Sequence, residues 1–260
     1  MIDDPKKWLY YAIPVAVVVA LGGALYYGKR HKEEAATPAI VEQLPSAPSE
    51  APPEHHPIEP NPTEAPLPTL AESDPELQRS LGDVFGRALD RYLVPNDIAR
   101  HVVVTIDNLP RKKNAVQMWP VKPLGGEFVT SNGAELTLSD TNYERYKPLV
   151  ALVNNADSKQ IVALYKRFYP LFQQAYVELG FPEGYFNNRV VEVIDHLLET
   201  PELDGPVKLV QPGVFYEFAD PSLESRSSGQ KLLMRMGPKN AATIKLKLRE
   251  LRREIAQRDE

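Results

Sequence analysis

The chain has 260 residues, a formal charge of −5 and no cysteine, which excludes disulfide staples, thiolate metal sites and a cysteine nucleophile. The charge is uneven: Glu33 to Asp74 holds nine acidic residues and no Lys or Arg, whereas residues 76–260 hold 25 basic and 24 acidic side chains. A nearly neutral folded part, basic only in its last helix, argues against nucleic acid as a partner.

After a short tail (residues 1–7), Trp8 to Tyr27 carries no charge over 20 residues, enough for a helix to span roughly 30 Å of hydrocarbon. Aromatic residues stand at both ends and Lys6, Lys7, Lys29 and Arg30 close it off, so a single transmembrane helix is expected over 8–27. A cleaved signal peptide ending near Ala20-Leu21-Gly22 is the alternative, disfavoured by the length of the run. Ala12, Ala16, Ala20 and Ala24 recur every four residues and would let a second copy of the helix approach closely as a homodimer, although alanine is common in such helices.

Residues 28–74 are expected to form a disordered linker. Between 33 and 75 there are eleven prolines and no aromatic residue, so the stretch cannot bury enough apolar surface to offset its chain entropy. Its role is reach, up to roughly 120 Å at about 3.1 Å per residue. His55-His56 within it lacks the fixed geometry and further ligands of a metal site.

The folded domain is expected over 75–260. Ser73-Asp74-Pro75-Glu76 reads as a capping box that opens a helix with apolar positions from Leu77 to Leu93. Asp97 to Leu109 reads as a helix, with a buried strand through Val102–Ile106 as the alternative. Glu127 to Leu138, with Ser131-Asn132-Gly133 at its centre, reads as a β-hairpin. Helix returns from Asp140 to Asn154, interrupted by Pro148. Asp157 caps a longer helix that Pro170 should kink and Gly180 should end. Asn187 to Glu199 is a compact helix, Val214 to Phe218 a short strand, and Gly237-Pro238 opens a last, basic helix that buries Ile244, Leu248, Leu251 and Ile255. The fold class expected is thus mainly α: a single helical domain with a small β-hairpin, preceded by the transmembrane helix and the disordered Pro-rich linker.

The segments TIDNLPRKK from Thr105, NYERYKPLVAL from Asn142, YKRFYPLFQQAYVELGFP from Tyr165, YFNNRVVEVIDHLLETPE from Tyr185 and YEFADPSLESRSSGQKLLMRMGP from Tyr216 resemble the uncharacterised bacterial family called domain of unknown function 3014. The resemblance runs from about Ser80 to Leu251. It implies a Gram-negative, membrane-anchored protein and carries no activity, cofactor or catalytic residue. Inner-membrane location is therefore expected. The layout of tail, span and tether points to a periplasmic C-terminal domain, although Lys29, Arg30 and Lys32 count the other way and would make it a cytoplasm-facing regulator.

Candidate chemistry is sparse. Glu192, Asp195, His196 and Glu199 share one helical stripe, and Glu178 with Glu192 or Asp195 would supply the paired carboxylates of a glycoside hydrolase. The plain reading is a solvated face with a packed histidine, because no ligand or catalytic spacing is present. Tyr143, Arg145, Tyr146, Tyr185 and Arg189 are candidates to line a groove for a sugar chain or peptide, against tyrosines packed at the core edge. Asp107-Asn108 is read as a helix-closing pair. No nucleotide-binding glycine pattern or serine-hydrolase elbow occurs, and neither a cofactor nor a metal is expected. The reading is a membrane-anchored binding or scaffolding module of the cell envelope rather than an enzyme, with an envelope protein or cell-wall glycan as partner and a carboxylate glycan hydrolase as the alternative.

Overall fold

A computed structural model describes residues 58, 65–113, 115–132 and 135–256, all within one unit, Pro53–Glu260. Its helices are α1 (Asp74–Phe85), α2 (Ile98–Asn108), α3 (Thr141–Glu144), α4 (Lys147–Asn155), α5 (Ser158–Glu178), α6 (Phe186–Leu198), α7 (Pro221–Glu224), α8 (Ser228–Arg235) and α9 (Pro238–Ala256). Its strands are β1 (Thr130–Asn132), β2 (Leu136–Leu138), β3 (Leu209–Val210) and β4 (Glu217–Phe218).

This corrects the expected fold class in two respects. There are two antiparallel pairs, β1–β2 and β3–β4, joined by a bridge between Thr137 and Lys208 and a hydrogen bond from Leu138 N–H to the Val207 carbonyl. No helix among the described residues is long and apolar enough to cross a membrane. The expected span at 8–27, with its alanine stripe Ala12, Ala16, Ala20 and Ala24, lies outside the described residues, as do linker residues 28–57 and 59–64. The described end of the linker packs on the domain: Leu70 is buried and Leu67 lies against the core.

The centre of the domain is α5 and α6, with α2 and α1 packed on one side and α9 lying across α4, α5 and α6. Phe168, Phe172 and Tyr176 of α5 meet Ile98 and Val103 of α2, Leu77 of α1 and Phe186 of α6; burying each such side chain contributes about 1.5–3 kcal/mol. A second cluster joins Val162, Val191, Ile194 and Ile255 across α5, α6 and α9. α5 runs through Pro170, at a cost of roughly 3 kcal/mol set against the burial of Phe168, Tyr169, Leu171 and Phe172 around it.

The capping box at Ser73 does not form. Ser73 Oγ donates instead to the Leu70 carbonyl, and the Asp74 carboxylate accepts from the backbone N–H groups of Asp97 and Ile98 at 2.7 and 2.8 Å. Asp74 thereby supplies acceptors to the unpaired donors at the start of α2, beside Asp97 in the left-handed region (φ 51°). α1 stops at Phe85 because Gly86 turns the chain (φ 80°), and the expected run to Leu93 continues as a 3-10 turn, Arg87–Arg91.

The basic last helix is not solvated all round. Lys245 and Lys247 are buried. Lys245 Nζ donates to the Thr200 carbonyl at the close of α6, and Lys247 Nζ donates to the Ala156 carbonyl at the close of α4, 3.0 Å away. Ammonium groups at helix C-termini satisfy orphan carbonyls and oppose the negative end of the dipole. Lys245→Met is therefore expected to lower stability by about 1–3 kcal/mol by leaving the Thr200 carbonyl without its donor. Urea unfolding checks this, with a change at exposed Leu246 as a control expected within about 0.5 kcal/mol.

Candidate functional site

Three carboxylates of the acidic set, Glu178, Glu192 and Asp195, each stand against an arginine. Glu178 meets Arg100 at 3.0 Å and accepts from Gln174; the Arg100 hydrogen bond, then that of Gln174, holds its pKa below the usual carboxylate value. Glu192 meets Arg189 at 2.8 Å, and Asp195 takes two hydrogen bonds from Arg252. His196 Nε2 lies 2.8 Å from Ser227 Oγ. A Ser–His pair resembles the start of nucleophilic machinery, but Ser227 is buried and its oxygen caps α8 by accepting from Gln230 N–H. Among the described residues no group of three or more His, Asp or Glu is arranged to hold a metal ion.

Asp107 is buried and receives Arg189 Nε at 3.0 Å and the Arg111 guanidinium. Arg189 also donates to the Asp107 carbonyl at 2.9 Å. Burial works against the Arg189 charge, yet the Glu192 hydrogen bond and the charges of Glu192 and Asp107 together raise its pKa. Arg189 thus ties α6 to the end of α2. Asn108 does close α2, donating to the Val104 carbonyl at 2.9 Å.

An open groove of about 790 Å³ lies between the strands and the start of α9. Buried Asn142 fixes one wall: its side chain accepts from Val129 N–H at 2.9 Å and donates to the Ser139 carbonyl at 2.8 Å. Buried Asn240 fixes the other, donating to the carbonyls of Tyr143 and Met236 at 2.9 and 2.8 Å. Between them the Tyr143 ring lies on Gly237, where a Cβ would come within 2.5 Å of it. Gly237 also needs its positive φ of 82°, so only glycine suits the position. Burial, and secondarily the charge of Asp140, raises the Tyr143 pKa, which keeps the phenol a hydrogen-bond donor. Ser139, Asp140, Lys147 and Lys239 add hydroxyl, anionic and cationic groups to the lining. A smaller cavity of about 300 Å³ adjoins it, sharing Leu203, Met234 and Gly237.

Of the binding candidates, Tyr143 lines this groove. Arg145 turns back to the Gly126 carbonyl and sits over the Phe128 ring. Tyr146 lines a separate apolar pocket. Tyr185, half exposed, stands at the N-cap of α6, and Arg189 lies within its first turn. Asn142, Asn240 and Lys239 went unmarked in the sequence as site residues, and Gly237 was visible only as the residue before a helix-opening proline.

A family model described as protein of unknown function (DUF3014) matches residues 98–252. The chain belongs to this family. No curated protein matches, and no solved structure does. The family match starts at the first residue of α2 and ends inside α9, so it contains the whole groove, the Asp107–Arg189 pair and the four strands, while α1 lies before it.

Proposed function

We propose that the domain is a non-catalytic binding module, and that the groove beside Tyr143 holds a polymer chain, a cell-wall glycan being the class its lining suits. The groove carries this reading: it is open, about 790 Å³ in volume, and lined by an aromatic ring together with hydroxyl, carboxylate and ammonium groups. Sugars offer apolar C–H faces to aromatic rings and many hydroxyls to mixed polar donors and acceptors. No observation favours the glycan hydrolase. A general acid needs a raised carboxyl pKa, whereas Glu178 is lowered by Arg100. The proposed place of action is the bacterial cell envelope, with the domain on its periplasmic side. The envelope location rests on the uncharged stretch Trp8–Tyr27, and the periplasmic side on the layout of short tail, uncharged stretch and Pro-rich tether, against the count of Lys29, Arg30 and Lys32.

Full-length protein is expected to retain purified cell-wall glycan fragments. The double change Lys147→Ala and Lys239→Ala, at two exposed positions, should raise Kd about tenfold, the equivalent of roughly 1.4 kcal/mol. Isothermal titration with defined fragments measures it. Absence of retention by the unaltered protein, or a Kd indifferent to both lysines, would reject the glycan reading.

A further inference from the structure

The β3–β4 loop leaves two large apolar side chains in water, Val214 at 84% and Phe215 at 80% exposure. Contiguous exposed apolar side chains of this size on a loop tip mark interaction sites more often than chance. Elsewhere on the same domain a pocket of about 230 Å³ opens between the end of α2, the segment 119–124, Tyr146 with α4, and α8. Leu109, Trp119, Leu124, Leu149, Leu232 and Met236 form its walls. The hydroxyl of Thr105, also in the lining, donates to the Met118 carbonyl at 3.1 Å. An apolar cavity of about 150 Å³ is enough for a benzene ring, so this pocket has room for a phenyl group and an aliphatic neighbour.

The loop and the pocket are neighbours through α8. Tyr216, next after Phe215, stacks on Phe128 with ring centroids 5.1 Å apart. Its carbonyl accepts from Arg235 at 2.9 Å. Arg235 stands on α8 between Leu232 and Met236, both of which line the pocket. The high exposure of Phe215 means that its own pocket does not hold it.

We infer that a second copy of the chain does: Phe215, with Val214, of each copy enters the apolar pocket of the other about a twofold axis. A twofold contact joins one surface patch to itself and therefore needs projection and recess side by side, which is what α8 provides. Charge fits the same arrangement. Lys122 lies at the pocket, its ammonium 3.4 Å from the Asp90 carbonyl, and Glu217 stands two residues beyond Phe215, so the recess and the projection carry opposite charges. A buried aromatic anchor at the centre of an interface commonly dominates its affinity. The pocket shares Met236 with the glycan groove, whereas Phe215 and Leu149 lie outside the groove lining, so changes there test the contact without altering the groove.

The absence of native cysteine makes the test direct. Full-length Phe215→Cys and Leu149→Cys variants are mixed and oxidised; a disulfide-linked heterodimer is expected. Leu149→Cys with Leu246→Cys, an exposed position on α9, is the control and should not cross-link. Phe215→Ser, which leaves the core untouched, should weaken self-association in sedimentation equilibrium by about 30-fold or more. Equal cross-linking in both mixtures, or none in either, overturns the proposal. So does a monomeric protein whose Phe215→Ser form loses binding to phosphatidylglycerol vesicles, which would assign the loop to a lipid surface.

Discussion

Replacing Asp107 by alanine is expected to lower the stability of the domain by about 3–5 kcal/mol, the range for breaking a buried ion pair by removing one partner. The Asp107 side chain is 4% exposed and that of Arg189 18%. Loss of the carboxylate leaves the Arg189 guanidinium in a half-buried site with Glu192, 65% exposed, as its remaining carboxylate. The two arginines should differ. Arg189→Ala strands the buried carboxylate and the Asp107 carbonyl, whereas Arg111, 55% exposed, should cost no more than about 1 kcal/mol. Urea denaturation of the three single variants and of the Asp107→Ala/Arg189→Ala pair would measure this. Comparable, small effects at all three positions would show that the pair contributes little.

The second large effect is expected at the other end of α2. Leu77 is 1% exposed and packs with Ile98, Val103 and Phe168; Leu77→Ala should cost about 2–5 kcal/mol from lost transfer and the cavity left behind. A chain cut to the family segment, 98–252, loses four buried leucines, Leu70, Leu77, Leu89 and Leu93, and the Asp74 carboxylate that caps α2. At its other end it loses buried Ile255. Total stabilities of about 5–15 kcal/mol do not survive such losses, so this segment should show no cooperative thermal transition by circular dichroism while a chain of residues 65–256 does. Cooperative melting of the shorter chain at a similar temperature would mean that α1 is dispensable.

What was legible beforehand was local. The helix over 98–108 was read from the spacing of Ile98, Val102, Ile106 and Leu109 despite its β-branched run, and its most buried face is that of Ile98, Ala99, Val103 and Asp107. Asp157 capped α5 as read, accepting from Lys159 and Gln160 N–H, and Gly180 followed its end with φ 114°. The β1–β2 hairpin was expected over Glu127 to Leu138 and pairs only over Thr130–Asn132 and Leu136–Leu138, so that Ser131 and Asn132, read as turn residues, belong to β1. The second pair was half seen: Val214 and Phe215 were assigned to a strand, and they project into water while Glu217 and Phe218 make the pairing.

The sequence by itself determined the family, the absence of thiol chemistry, the order of the main helices and most of their ends, because periodicity, caps and glycine stops act over a few residues. Tertiary structure alone decided which polar groups go inside. Asp74 serves a helix 24 residues away, Arg189 reaches back 82 residues to Asp107, and Lys247 crosses 91 residues to Ala156. Nothing near these residues in the chain distinguishes them from solvated neighbours, since each is defined by an orphan backbone group or opposite charge that only folding brings within reach. The groove has the same origin: Tyr143 lines it because Asn142, Asn240 and Gly237, drawn from two distant segments, close around it.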